Sequence, residues 1–187
     1  MAHYKRVSGE KVYLSPISTA DIDIFMKWIN DSEIAQTTNF YTQVISLVQE
    51  KEIVEALAKN GNTFSIVMQE NDKIIGTCSF SNINETNRVA EIGIIIGEKE
   101  CHNKGYGTEA VNLLLQFGFE NRNYNNIYLH VHSFNERAIA CYEKAGFKRQ
   151  GVCREAIIHG NKKYDRLYMD ILADEYFSKL KIETPSI

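Results

Sequence analysis

Two glycines, Gly105 and Gly107, stand one residue apart in the segment CHNKGYGTEA, directly before residues that favour a helix. The N–H groups at the start of a helix have no partner inside the helix and, together with the helix dipole, they attract anions. A side chain would hold a phosphate away from this backbone, whereas glycine lets it approach. The segment is therefore a candidate cradle for a diphosphate, to which Lys104 would add charge and Thr108 a hydroxyl.

Three kinds of phosphate-binding loop place glycines in this way. A Walker loop needs the pattern G-x-x-x-x-G-K-[ST], which the sequence lacks. The dinucleotide fingerprint G-x-G-x-x-G/A matches the letters GYGTEA, so an NAD(P)-binding oxidoreductase is one alternative. That fingerprint follows directly on a strand, however, whereas the segment EKECHNK separates the strand-like EIGIIIG from Gly105. The third kind is the loop that binds acyl-CoA.

A second motif after this loop gives a resemblance to the GNAT N-acetyltransferase superfamily. The family's signature loop is Arg/Gln-x-x-Gly-x-Gly/Ala, and the chain has HNKGYG over residues 102–107, with His102 in place of the usual Arg or Gln. The family's later pattern N-x-x-A-x-x-x-Y-x-x-x-G-F is complete, at Asn135, Ala138, Tyr142, Gly146 and Phe147. The resemblance covers nearly the whole chain.

Two segments near the ends of the chain, GEKVYLSPIS and GNKKYDRLYMDILADEY, resemble the RimJ/RimL branch of the superfamily. That branch includes enzymes that act on ribosomal-protein N-termini, on polyamines and on amino sugars. The resemblance therefore implies acetyl transfer to a primary amine and leaves the acceptor open. A GNAT-like domain that binds acyl-CoA without turnover is the alternative from another functional class. A homodimer is common among the resembling proteins.

The resemblance implies acetyl-CoA as the acyl donor, no metal, and a set of cofactor contacts. The implied contact residues are Ile94, Ile95, Ile96, His102, Asn103, Lys104, Gly105, Tyr106, Gly107, Thr108 and Asn135. The strand segment 94–96 would pair with the pantetheine arm as an added strand does, although a run of isoleucines is equally what a buried strand needs. Asn135 would cap its helix and touch the cofactor, and capping alone would also explain it.

Acetyl transfer from a thioester to an amine needs a neutral amine, a donor to the carbonyl oxygen and a proton for the leaving thiolate. We expect the oxyanion donor to be a backbone N–H at Ile94 or a neighbour. The resemblance places Tyr142 near the CoA sulfur as general acid, with a core tyrosine on an apolar helix stripe as the alternative. Glu91 is the candidate base, acting through water as in several relatives. Its alternative is a solvated strand end or a structural ion pair.

Two groups of polar residues are candidates for acceptor contacts. One precedes the strand that leads to the glycine loop and consists of Ser81, Asn82 and Asn84. The other lies between the first two predicted helices and consists of Thr38, Asn39 and Tyr41. Ordinary polar turn residues are the alternative for each member of the first group.

Other chemistry has less support in the sequence. His130 and His132 share one face of a predicted strand, but a metal site would need a third ligand, so we interpret them as ordinary strand histidines. No cysteine or serine has a recognisable nucleophile setting, which disfavours a covalent acyl-enzyme. We therefore expect direct attack in a ternary complex.

The periodicity of apolar residues predicts the elements that must position these groups. Strands are predicted over residues 11–17, 63–69, 73–83, 88–97 and 126–133, with a terminal hairpin over 154–172 that turns at Gly160 and Asn161. Helices are predicted from Ser18 or Thr19, from Ser46 to a stop at Gly61, over 107–120, and from the cap Asn135 to Gly146. This order predicts an α/β (α+β) chain of the GNAT fold, with a mixed central sheet flanked by helices.

Composition limits the remaining possibilities. The chain has 187 residues, of which 44% are hydrophobic and 24% charged, and a net charge of −3, so it fits one globular domain over 1–187 without bulk attraction to nucleic acid. The four cysteines form no C-x-x-C pair. No apolar run approaches the roughly 20 residues of a membrane span, and the N-terminus lacks an apolar signal segment. We expect a reduced, cytoplasmic setting and no membrane partner.

Overall fold

The computed structural model describes residues 3–38 and 41–183. Strands in this part of the chain are β1 (Val7–Ser8), β2 (Val12–Pro16), β3 (Thr63–Met68), β4 (Ile74–Asn84), β5 (Val89–Ile96), β6 (Asn126–His132), β7 (Lys148–His159) and β8 (Lys162–Leu172). Its α-helices are α1 (Ile22–Ile29), α2 (Ser32–Ala35), α3 (Leu47–Asn60), α4 (Tyr106–Gln116), α5 (Glu136–Ala145) and α6 (Ala173–Glu183).

The chain divides into two compact units, Met1–Ser79 with Gly93–Leu114 and Phe80–Ile92 with Leu115–Ile187. In the first unit the strand order is β1-β2-β3-β4-β5, and in the second it is β4-β5-β6-β8-β7, since β4 and β5 contribute residues to both. The β5–β6 pair is parallel, whereas β6–β8 and β7–β8 are antiparallel. The sheet is therefore mixed, and the predicted α/β class is confirmed.

Helices α1, α2 and α3 supply the core of the first unit together with β2, β3 and β4. Phe25 and Trp28 of α1 are buried against Tyr13, Val54 and Val67. The predicted helix after Ser18 is confirmed. Ser18 itself caps a short 3₁₀ turn, Thr19–Asp21, that precedes α1.

The chain that leaves β5 is fixed to α1 by a buried carboxylate. A Cβ on Gly97 would lie 2.0 Å from Cδ2 of Trp28, so only glycine fits there. Trp28 Nε1 donates to Glu98 Oε1 at 2.9 Å, and Lys73 Nζ lies 2.5 Å from Glu98 Oε2. Burial acts to raise the pKa of Glu98, but the hydrogen bonds from Lys73 and Trp28 outweigh it and lower the pKa to about 2. Glu98 is therefore ionised at neutral pH.

The predicted helix ends are confirmed at the positions where the sequence has capping residues. Ser46 accepts the N–H of Gln49 at 3.3 Å, and α3 ends at Gly61, whose φ is +67°. The predicted helix 107–120 is α-helical to Gln116 and then continues as a π-helix, Phe117–Asn121. Within that segment Gly118 must stay small, because a Cβ there would lie 2.6 Å from Ile127 Cδ1.

Three strands or α-helices of the described residues were not predicted. The two-residue strand β1 precedes the strand that the sequence marks first, the short helix α2 follows α1, and α6 follows β8. In the second unit α6 places Tyr176 against Phe119, with ring centroids 4.9 Å apart. Along residues 3–38 and 41–183 no helix combines the length and hydrophobicity that crossing a membrane requires. The single-domain organisation over 1–187 stays a prediction.

Candidate active site

The glycine loop has the backbone conformation that an anion cradle needs. Asn103 and Gly105 both lie in the left-handed region, with φ of +60° and +86°. Helix α4 begins at Tyr106, and its first turn closes with the N–H of Glu109 donating to the Gly105 carbonyl at 3.1 Å. Left-handed residues next to right-handed ones turn successive N–H groups toward one side, which is the geometry of an anion-binding nest.

His102 fastens this loop to the end of β5. Its Nε2 donates to the carbonyl oxygen of Ile96 at 2.9 Å, which assigns the proton to Nε2 because a carbonyl can only accept. The residue that replaces the family's Arg or Gln therefore stabilises the loop from within the chain. A cofactor contact by His102 stays a prediction.

The free edge of β5 in the first unit carries the predicted oxyanion donor. The N–H of Gly97 donates to Ile75 of β4 at 2.9 Å, and the Ile95 carbonyl lies against Gly76 of β4. Because N–H and C=O groups alternate between the two edges of a strand, those of Ile94 point away from β4. The isoleucines at 94–96 are only partly buried, and Ile94 has the backbone orientation that a pantetheine partner would need.

A buried carboxylate lies in the second unit. Glu91 on β5 is only 7% exposed, so it is not a solvated strand end. Its Oε2 accepts from Asn82 Nδ2 at 2.5 Å, and its Oε1 lies 2.5 Å from His130 Nδ1. Asn82 reaches it from a left-handed position on β4, with φ of +45°. Burial and then the charge of Glu91 raise the pKa of the neighbouring Tyr128.

Sequence reasoning missed the role of His130 as the partner of Glu91. The parallel register places Glu91 opposite Tyr128, two residues before His130 on β6. With Nδ1 donating to the carboxylate, the neutral ring presents the lone pair on Nε2. The His130 side chain is 26% exposed, so solvent or a ligand can reach the imidazole.

The other residues that were predicted to contact the amine acceptor differ in the contacts they make. Asn84 Oδ1 accepts the N–H of Asn87 at 2.8 Å, which is a turn contact. Ser81 is an exposed residue of β4. Thr38 donates its hydroxyl to the carbonyl of Ala35 at 2.8 Å. Tyr41 is 36% exposed, and Asn39 lies outside the described residues. Of these polar residues, the described contacts bring only Asn82 to the carboxylate.

Tyr142 is a buried tyrosine of α5. It is 5% exposed, and its ring meets that of Phe147 edge-on, with centroids 5.8 Å apart. Burial raises the pKa of the phenol, so it holds its proton at neutral pH. Asn135 caps the helix by accepting the N–H of Ala138 at 3.2 Å. This geometry fits both a proton donor and a core tyrosine, and the acid role stays a prediction.

Within residues 3–38 and 41–183, no group of three or more His, Cys, Asp or Glu side chains is placed to hold a metal ion. The four cysteines are free thiols, and two of them, Cys78 and Cys101, are buried. Burial raises the pKa of both thiols, which disfavours the thiolate form.

A mixed α/β fold with a glycine loop at the start of α4, next to a strand edge, defines an acyl-CoA-dependent transferase. The family model described as "Acetyltransferase (GNAT) domain" matches residues 11–148, and the chain belongs to this family. It is an acetyl-CoA-dependent N-acetyltransferase. The family assignment sets aside the alternative of an NAD(P)-binding oxidoreductase.

Similar proteins support the family assignment. The chain is 28% identical over 172 residues to the uncharacterized N-acetyltransferase p20 of Bacillus licheniformis, covering 89% of this chain and 96% of that protein. It is 32% identical over 114 residues to spermidine N(1)-acetyltransferase of Vibrio cholerae, covering 61% and 65%. A crystal structure of spermidine N-acetyltransferase from Vibrio cholerae in complex with CoA and spermine has the same fold. Its TM-score is 0.80 at 24% identity, with 90% of this chain and 99% of that chain covered.

Replacing Gly105 by alanine should weaken acetyl-CoA binding by about tenfold or more. Alanine is strained at a φ of +86°, by roughly 1–2 kcal/mol, so the loop would relax away from the nest geometry. Isothermal titration calorimetry with acetyl-CoA measures the effect. Gly160→Ala is the matched control, because its φ is +57° with nothing within 4 Å of the added Cβ. Equal affinity in the two variants would contradict the cradle.

Proposed function

We propose that this enzyme transfers the acetyl group directly to a primary amine in a ternary complex, with the pair of buried Glu91 and partly exposed His130 receiving the amine proton. The acceptor is a primary amine, with polyamines as the first class to test, and amino sugars and protein N-termini as the others. The polyamine preference rests on the similarity to spermidine N(1)-acetyltransferase. The carboxylate–histidine contact carries the proposal.

The contacts of Glu91 indicate which residue of this pair accepts the proton. Both carboxylate oxygens are engaged, one by Asn82 and one by His130. A primary amine has a pKa of about 10.4 and is mostly protonated at neutral pH, so a proton acceptor is needed. Nε2 of His130 is the nitrogen with the lone pair, and Glu91 orients the ring and stabilises the imidazolium that forms. The predicted base Glu91 thus acts together with His130.

The acid and the oxyanion donor follow from the other described groups. Tyr142 keeps its proton at neutral pH because burial raises its pKa, so a phenol is available for the leaving thiolate. The N–H of Ile94, on the β5 edge away from β4, donates to the carbonyl oxygen as negative charge develops there. Acetyl-CoA supplies the thioester, and residues 94–96, 102–108 and Asn135 are proposed to hold it.

Direct attack is the simplest route with these residues. Cys78 and Cys101 are buried and their raised pKa values disfavour a thiolate nucleophile. The proposal includes a reduced, cytoplasmic setting, a homodimer and membership of the RimJ/RimL branch. It also keeps Ser81 and Asn84, with Asn82, as candidate acceptor contacts near the base.

Thiol release from acetyl-CoA should depend on an added amine. We expect turnover with at least one of spermidine, spermine, an aminoglycoside, a nucleotide amino sugar or a peptide that starts with Ala or Ser, with polyamines fastest. A thiol-reactive dye measures free CoA, and mass spectrometry identifies the acetylated product. Binding of acetyl-CoA with no release on any amine would instead indicate a binding module and end the proposal.

Tyr142→Phe should lower kcat by about 10²- to 10⁴-fold, the range that a lost general acid gives. The affinity for acetyl-CoA should change little, because the ring and its packing on Phe147 remain. Steady-state rates and calorimetric titration separate the two quantities. Unchanged turnover would leave Tyr142 as a core tyrosine.

His130→Gln should lower kcat/KM most at neutral pH and much less near pH 10. At high pH the amine loses its proton unaided, so a missing base matters less there. Rates from pH 6.5 to 10 in wild type, His130→Gln and Glu91→Gln measure this. If the pair has a purely structural role, the variants should lose the same factor in kcat/KM at every pH. That result would refute the assignment of His130 as the base.

A further inference from the structure

A lysine from the start of the chain lies at the glycine loop. Lys11 Nζ donates to the carbonyl oxygen of Lys104 at 3.2 Å. The same nitrogen is 3.4 Å from the position that a Cβ on Gly105 would occupy. Both lysines are exposed, and the ammonium of Lys11 lies at the left-handed turn. Nothing in the sequence pattern connects Lys11 with a loop more than 90 residues later.

The position of Lys11 is set by a carboxylate on α4. Glu109 Oε1 accepts the backbone N–H of Lys11 at 2.7 Å and that of Val12 at 3.2 Å. A Cβ on Gly9 would lie 2.2 Å from the same oxygen, so the absence of a side chain at Gly9 leaves the space that the Glu109 carboxylate occupies. Glu109 is thus engaged with the main chain and holds the base of the Lys11 side chain beside the loop.

We propose that Lys11 is a phosphate-binding residue of this enzyme, whose ammonium contacts the diphosphate of acetyl-CoA bound at the glycine loop. This inference rests on the proposed function. Glu109 is the positioning residue for Lys11. An ammonium at hydrogen-bonding distance of the loop backbone adds full positive charge where the helix terminus offers only a partial one. The carbonyl of Lys104 holds the ammonium at the loop until a phosphate oxygen accepts from it.

The test compares Lys11→Met with the matched control Lys5→Met. Lys5 is also an exposed lysine of the N-terminal segment, and its Nζ donates to Gln69 Oε1 at 2.7 Å. Calorimetry should show acetyl-CoA binding to Lys11→Met about tenfold weaker than to wild type, as the loss of one charged hydrogen bond predicts. The difference should shrink as salt rises, because salt screens exposed charges. Lys5→Met should bind like wild type.

Two analogues of acetyl-CoA test whether Lys11 contacts the diphosphate. Dephospho-CoA keeps the diphosphate but lacks the 3′-phosphate, so Lys11→Met should lose the same factor in affinity for it. S-acetylpantetheine lacks the diphosphate, so wild type and Lys11→Met should use it as a donor with equal kcat/KM. A loss confined to ligands with the 3′-phosphate would overturn the assignment to the diphosphate. An equal loss with S-acetylpantetheine would indicate a loop-stabilising role instead.

Further variants separate phosphate binding from loop structure. Lys11→Arg should restore most of the affinity, and the melting temperature of unliganded Lys11→Met should match that of wild type. Glu109→Ala should weaken acetyl-CoA binding in the same salt-dependent way. Acetyl-CoA affinity unchanged in Lys11→Met would overturn the inference while the proposed function stands. Failure of the wild-type enzyme to bind acetyl-CoA would overturn both.

Discussion

A left-handed backbone at two positions of the glycine loop is the constraint on which the cofactor site depends. Gly105 and Asn103 adopt it with φ of +86° and +60°, and glycine and asparagine do so at lower steric cost than other residues. In the proposed cofactor site this turn offers its main-chain N–H groups to the diphosphate, and the bond from His102 to the Ile96 carbonyl ties the turn to β5. Side chains can add charge to this cradle, but they cannot replace the backbone geometry.

Two buried glutamates show how partners decide what a carboxylate does. Glu98 has the ammonium of Lys73 and the indole of Trp28, its pKa falls to about 2, and it stays ionised through the range in which the enzyme would work. Glu91 is equally buried but has an amide and an imidazole as partners. In the proposed mechanism Glu91 and His130 receive the amine proton, whereas Glu98 supports the chain before the loop.

Local signals predicted much of this fold, and long-range pairing set the rest. Ser46, Gly61 and Asn135 marked helix ends because capping depends on neighbours within a few residues. Alternating apolar residues gave most strands. The contact of Glu91 with His130 depends on the register of two parallel strands joined by a long crossover, and no local pattern encodes that register. The sequence therefore predicted Glu91 as a functional carboxylate but did not predict His130 as its partner. Helix α6 was not predicted because its apolar residues show only a weak helical spacing.

The position of Lys11 shows how a charge reaches the glycine loop from a distant part of the chain. The family signature begins with Arg or Gln, whereas this chain has His102, whose Nε2 donates to the carbonyl oxygen of Ile96 on β5. Glu109 on α4 accepts the backbone N–H groups of Lys11 and Val12, and the ammonium of Lys11 donates to the carbonyl oxygen of Lys104. In the proposed cofactor site this ammonium adds a charge that no pattern in the loop sequence predicts.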